Sequence, residues 1–199
     1  MPSKLQEEIF QYQKNDDRLR LLAGKLLLLE AVKKLGYPHS IIENYAPDAM
    51  GKPQVPGFLP FNITHSGHVV ACAVLEGDGV IGIDCEKVRP IEVIKFTKQF
   101  SPPEMQWILA AQDPQIRFFD AWTMKEAVMK ADGRGMRIPL HNIRLKHSHA
   151  SIDDREEIWH LYKINTPDSH PCHLCCNREI ESIQTISVLP RVLIHSSLE

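Results

Sequence analysis

Three acidic residues in two separate segments are the part of this chain best suited to chemistry. Asp84 and Glu86 stand in Gly82-Ile83-Asp84-Cys85-Glu86-Lys87, and Glu126 stands farther on, in Trp122-Thr123-Met124-Lys125-Glu126-Ala127-Val128-Met129-Lys130. A hard divalent cation takes oxygen ligands, so three carboxylates delivered by two rigid elements can hold one such ion. Lys125 and Lys130 flank Glu126 and suit a phosphate carried on that ion. The chemistry this points to is metal-assisted reaction of a phosphate ester.

The elements that must position these groups follow from pattern. Val69 to Leu75 is a continuous apolar run, as in a buried strand, and Gly77-Asp78-Gly79 is a turn signal. Val80 to Ile83 reads as the return strand, which delivers Asp84 and Glu86 at its end. Strand alternation puts those two acids on one side and Cys85 on the other. Ser101-Pro102-Pro103-Glu104 is a helix start with a capping box, and Trp107, Ile108 and Leu109 ride on that helix. A further helix spans about Pro114 to Ala131 and stops at Gly133. On it Trp122, Glu126 and Lys130 recur every fourth residue, about 40° apart, and so share a face. Taken alone, Glu126 and Lys130 would be an exposed ion pair; the aromatic on the same face and the two acids elsewhere favour a site.

Upstream, residues 4–13 and 16–35 are expected as helices, the second with a buried stripe of Leu19, Leu22, Leu26, Leu29 and Val32. Tyr37 to Pro60 is a Pro- and Gly-rich loop of functional length. It carries Gly51-Lys52-Pro53. Thr64, His65, Ser66 and Gly67 form a turn before a strand, where hydroxyls, imidazole and backbone N–H groups suit a phosphate. Strands are expected around 143–148, 157–164, 171–177 and 182–189. The pattern divides into two halves, 1–88 and 89–199, with the acids where they meet.

A hydrophobic share of 43% supports a sizeable core, and a formal charge of −2 speaks against a general nucleic-acid binder. No apolar run approaches the ~20 residues that span a bilayer, and the N-terminus lacks a signal-peptide layout. Five cysteines without framework spacing indicate a reducing cytoplasm. Cys172-x-x-Cys175, with His170 and His173 nearby, could begin a zinc site, but buried thiols are the default. Cys85, between two acids, is a poor nucleophile.

In this order and spacing, Gly51-Lys52-Pro53, Phe61-Asn62-Ile63-Thr64-His65-Ser66-Gly67, Gly82-Ile83-Asp84-Cys85-Glu86 and W-x-x-K-E-A-x-x-K (Trp122 to Lys130) resemble the 4′-phosphopantetheinyl transferase superfamily, the longer Sfp-type members in particular. The helix around Arg20 also fits, and the resemblance covers nearly the whole chain. It implies an α+β fold of two similar halves related by a pseudo-two-fold axis, with the active site in the cleft between them, acting as a monomer. The implied reaction moves the 4′-phosphopantetheine of coenzyme A to a serine of an acyl or peptidyl carrier protein. Mg²⁺ is implied on Asp84, Glu86 and Glu126, with Glu126 taking the serine proton directly or through a metal-bound water. Lys125 and Lys130 would neutralise the diphosphate; Arg20, Lys52 and His65 would bind the 3′-phosphate; Thr64, Ser66 and Gly67 would line the nucleotide site. No membrane or nucleic-acid partner is implied.

The chain departs from the family pattern at Thr64, where a serine is usual, and at Cys85, where an aliphatic residue is usual. It also lacks an initial strand, so either the first half carries one strand fewer or the chain is trimmed. Lys4 and Glu104 are weaker matches, Glu104 being explained equally well as a helix cap. Phe96, Phe100 and Trp107 to Leu109 are a candidate carrier-docking surface. A Mg²⁺-dependent phosphodiesterase or nucleotide hydrolase, and a non-catalytic coenzyme A-binding module, are the alternatives.

Overall fold

The structure is a computed structural model and describes residues 13–166 and 170–188. The helix expected over 4–13, and Lys4 with it, lies outside those residues.

Helix α1 spans Asn15–Lys34, with Asp16 and Asp17 in its first turn and Lys33 and Lys34 in its last, as the helix dipole favours. Its buried residues are Gly24, Lys25, Leu28, Leu29 and Val32. This corrects the expected stripe: Leu19 is 62% exposed and Leu26 47%. Leucines surround this helix, so periodicity alone does not choose its face; contact does. A Cβ at Gly24 would lie 2.9 Å from Ile63 Cγ2, and this close approach presses the Gly24 side onto the following hairpin. After α1, a 3₁₀ turn (His39–Asn44) and the short ladder of β1 (Ala46–Pro47) with β2 (Pro53–Gln54) order what was expected as plain loop. Asp48 Oδ1 accepts from both Met50 N and Lys52 N, which fixes the bend between them.

Strands β3 (Phe61–Ser66) and β4 (Val69–Val74) form an antiparallel hairpin. The residues expected as a turn, Thr64 to Ser66, are therefore strand, and the turn is Gly67-His68. Phe-Asn-Ile-Thr-His-Ser alternates apolar and polar, which is a strand pattern. Strand β5 (Ile81–Cys85) does not return along β4. It pairs with β9 (Cys172–Cys176) at the edge of a five-stranded antiparallel sheet ordered β5-β9-β8-β7-β6. The others are β6 (Ile143–Lys146), β7 (His149–Ile152) and β8 (Ile158–Lys163). The expected strand 143–148 is thus a shorter strand and a turn, β7 was not anticipated, and residues 182–188 are not strand. The hydrogen-bonded ladder runs across the division drawn at residue 88.

Helix α2 (Pro102–Leu109) has the expected capping box between Ser101 and Glu104. Helix α3 (Pro114–Asp132) is capped by Asp113, which accepts from Gln115 N and Ile116 N, and is closed by Gly133 at φ +88°. It lies on the sheet face formed by Trp159, Leu161 and Cys175. The other face, with Ile81, Ile83, Cys85, Cys172 and Leu174, packs on Ala73 and Leu75 from β4 and its end. At Gly82 the helix and strand nearly touch: a Cβ there would meet Ala127 O at 2.2 Å and Ala131 N at 2.4 Å. Only glycine permits that approach, and it brings the end of β5 against the second half of α3.

Candidate active site

Side chains on alternate β3 positions bind alternate amides of β5. Ile83 N donates to Asn62 Oδ1 (2.9 Å), Cys85 N to Thr64 Oγ1 (3.3 Å) and Lys87 N to Ser66 Oγ (2.9 Å). This polar row satisfies the edge amides of β5 that no strand covers. The same hydroxyls hold the acids: Thr64 Oγ1 donates to Asp84 Oδ1 at 3.2 Å and Ser66 Oγ to Glu86 Oε2 at 2.9 Å. Thr64 and Ser66 thus support the strand and its carboxylates rather than an open turn. Arg89 Nη1 also reaches Glu86 Oε2, at 3.1 Å.

From α3, Lys130 Nζ donates to Asp84 Oδ1 at 2.6 Å, and to Thr64 Oγ1 and Ile83 O at 3.2 Å each. Asp84 is buried, and its carboxyl is raised by burial, opposed by Lys130, with Glu86 adding repulsion. Glu126, one turn before Lys130, is half-buried. Burial first, then the Asp84 charge, then that of Glu86, push its carboxyl up to about 7, against the pull of Lys130. Glu126 therefore shares one electrostatic environment with both strand acids.

The three carboxylates do not form a ready ligand shell. Among the described residues no group of three His, Cys, Asp or Glu side chains stands close enough to hold a metal ion. Like charges separate, and the Lys130 ammonium sits on Asp84. The donor set still fits a hard divalent cation. It is all oxygen, Asp84 Oδ2 is buried without a hydrogen-bond partner, and the repulsion that lifts Asp84 and Glu126 is what a cation would relieve.

Two expected phosphate ligands are placed elsewhere. Lys125 is fully buried; its Nζ binds Glu104 Oε2 (2.8 Å) and the carbonyls of Ile143, Leu140 and Gln99. Burial lowers its basicity, and Glu104 opposes that. Burial alone would raise the Glu104 carboxyl, but bonds from Lys125, Leu145 N and Ser101 N hold it below its ordinary value. Lys125 lies about 100° from Glu126 around α3, which turns it to the interior. Lys52 Nζ donates to Ala131 O (3.1 Å) and Ile81 O (3.2 Å), tying its loop to the end of α3 and to β5. Arg20 Nε donates to Gly67 O at 3.1 Å, and His65 is exposed beside it on β3. Gly67, at φ +57°, turns the chain there.

The possible zinc cluster is excluded by parity. Cys172 faces one side of β9 and Cys175 the other, so they cannot share an ion. Ile108, offered for docking, is fully buried, as is nearly all of Phe100, because this side of α2 packs on Phe118 and Phe119; Trp107 and Leu109 stay exposed.

The family model of the 4′-phosphopantetheinyl transferase superfamily matches residues 80–186, which carry β5, α3 and the sheet. The chain is 33% identical over 171 residues to a 4′-phosphopantetheinyl transferase of Bacillus subtilis, covering 82% of this chain and 70% of that protein. It is 31% identical over 175 residues to the 4′-phosphopantetheinyl transferase Sfp of Bacillus subtilis (strain 168), covering 84% and 72%. The transferase gsp of Aneurinibacillus migulanus is 29% identical over 177 residues, covering 85% and 73%.

This chain belongs to the 4′-phosphopantetheinyl transferase superfamily.

In this superfamily member several residues near the site have structural roles that the sequence did not announce. Asn62 completes the polar row, and its place two before Thr64 was the available signal. Glu104 and Lys125 lock α2, α3 and β6 together; nothing local announces that pairing. His173 lies opposite Asp84 on β9, and its Nδ1 meets Thr123 Oγ1 at 2.8 Å. Burial pushes its imidazole down to about 4, so it is neutral.

Proposed function

We propose that this chain transfers the 4′-phosphopantetheine arm of coenzyme A to a serine hydroxyl of an apo carrier protein, releasing adenosine 3′,5′-bisphosphate. The observation that carries this reading is the meeting of Asp84 and Glu86, held by Thr64 and Ser66, with Lys130 and Glu126 from one face of α3, in a chain of this superfamily. A base poised near the working pH moves protons most effectively. The serine proton passes to Glu126, and the serine oxygen bonds the phosphorus that carries pantetheine. The bond from that phosphorus to the bridging oxygen then breaks. Lys130 stabilises the charge that leaves with the nucleotide. Asp84, Glu86 and Glu126 would hold Mg²⁺, which when bound supplies Lewis-acid polarisation of the diphosphate. To nucleotide phosphate we assign the exposed His65 and Arg20, whose Nε donates to Gly67 O and whose Nη1 donates to Asp17 Oδ1. Positioning and charge neutralisation do most of the work, as phosphoryl transfer needs little covalent help.

Trp107, 41% exposed, and Leu109, 46% exposed, offer the carrier an apolar contact. Leu109→Asp should raise KM for the carrier several-fold and leave KM for coenzyme A unchanged; equal changes in both would remove this surface from the reading. The protein is expected to act as a cytoplasmic monomer, which light scattering in solution checks.

The deciding experiment incubates the protein with coenzyme A, Mg²⁺ and a panel of apo carrier proteins and reads intact carrier mass. A gain of one phosphopantetheine supports the transfer. Coenzyme A cleaved with no carrier adduct would make the chain a hydrolase instead.

A further inference from the structure

Cys85 and Cys172 face each other on the last rung of the β5–β9 ladder. Beyond them Glu86 N donates to Pro171 O, whereas Ile83 N and Cys85 N turn the other way, to Asn62 and Thr64. The alternation of an antiparallel ladder therefore makes Cys85–Cys172 a non-hydrogen-bonded pair. In such pairs Cα atoms stand about 4.5 Å apart and side chains are closest. That lies within the ~4.4–6.8 Å by which the Cα atoms of disulfides are separated. Both thiols are buried in one cluster with Ile83 and Leu174. The other cysteines are differently placed: Cys175 is on the opposite face of β9, Cys176 is opposite Ile81, and Cys72 is opposite Ile63. All five are free thiols.

We propose that Cys85 and Cys172 are a covalent modification site, closing a reversible cross-strand disulfide on reaction with a hydroperoxide. One sulfur attacks a peroxide oxygen, its proton passing to the departing hydroxide as water; the O–O bond breaks and a sulfenic acid forms. The second thiol attacks that sulfur, an S–S bond forms and water leaves. Two thiols and one hydrogen peroxide thus give one disulfide and two waters, with two electrons passing from sulfur to peroxide. Beyond this pair the ladder holds one further hydrogen bond, Glu86 N to Pro171 O, and its opening would give a small oxidant access to the buried sulfur.

The bond reaches the site because Cys85 lies between Asp84 and Glu86. Its N–H is held by Thr64, whose hydroxyl also donates to Asp84. Closing the disulfide draws Cβ atoms to about 3.8 Å and pulls Cys85 toward β9. That shift disturbs both neighbouring acids, and the oxidised protein loses transfer activity. This last step rests on the transferase reading above; the disulfide itself does not.

The test treats the full chain with hydrogen peroxide and reads intact mass and a non-reduced peptide map. The expected result is a mass lower by two hydrogens, a peptide linking Cys85 to Cys172, and reversal by dithiothreitol. Absence of that linked peptide, linkage of another cysteine pair, or oxygen addition without linkage would overturn the site. Cys172→Ala should lose the cross-link. In the carrier assay, oxidation should lower the wild-type rate at least tenfold, with recovery on reduction, and should spare Cys172→Ala. A complete disulfide with unchanged transfer overturns the coupling to the acids. A reduced protein without transfer refutes the transferase reading, while the peptide map still decides the disulfide.

Discussion

At the scale of the residue, Glu126 concentrates the site's electrostatics. Its carboxyl moves from the ordinary 4.5 up to about 7 through burial and the two strand acids. The folded chain therefore binds this proton more tightly than the unfolded one. The stability it brings is full below about pH 4.5 and is lost as pH rises through about 7. Glu126→Gln should be more stable than wild type at pH 8, by about 1–2 kcal/mol once partial exposure is discounted, and the gap should close toward pH 4.5. Urea midpoints across pH measure this; parallel profiles would contradict the buried repulsion. The same variant should lose about 10²–10⁴ in transfer rate, read with coenzyme A, Mg²⁺ and an apo carrier protein. Asp84, Glu86, Glu126 and Lys130 could be singled out in the sequence by type and spacing. What spacing could not reveal is that Lys130 sits on Asp84, or that Thr64 and Ser66 hold the acids, because those bonds join residues distant along the chain.

At the scale of the element, α3 is placed by one missing side chain and one buried ion pair. Gly82→Ala would put a methyl against backbone atoms of Ala127 and Ala131, which cannot rotate away. It should cost about 1–3 kcal/mol or more and lower activity by separating β5 from α3. Chemical denaturation checks this, and a neutral effect would mean that the helix can slide. The Lys125–Glu104 pair fixes the rotation of α3 about its axis. Lys125→Met should cost about 3–5 kcal/mol by leaving Glu104 buried and uncompensated, and Lys125→Met with Glu104→Gln should recover part of it. If Lys125→Met instead weakened coenzyme A binding at unchanged stability, its burial would be the wrong account. The helix boundaries were legible because Ser101, Asp113 and Gly133 act locally. The buried face of α1 was not, since leucines on every side leave the choice to Gly24 and its partner Ile63.

At the scale of the whole molecule, the β3–β4 hairpin joins the five-stranded sheet through side chains rather than a backbone ladder. Asn62→Ala leaves the buried Ile83 N–H without its acceptor and should cost about 1–3 kcal/mol. Hydrogen exchange at the Ile83 amide should quicken in the variant while that at Leu174 holds; an Ile83 amide still protected would speak against the polar row. Lys52 adds a second tie, from the β1–β2 loop to the end of α3. These links connect the halves anticipated on either side of residue 88. The pairing of β5 with β9 binds them further, and no local pattern could foretell a partner so distant in sequence.

The sequence by itself determined the types and order of the reactive groups, the helix caps, the alternation that puts Asp84 and Glu86 on one side, and the family. All of these are written over a few neighbouring residues or in motif order. The tertiary structure alone decided which lysine reaches the carboxylates. Lys125 and Lys130 are equally basic in sequence, but helical rotation sends one into the core and the other onto Asp84. It also decided that Ile108 is core, that Cys172 and Cys175 face apart, and that Cys172 meets Cys85, because each follows from which surfaces pack together rather than from the residue's own neighbours.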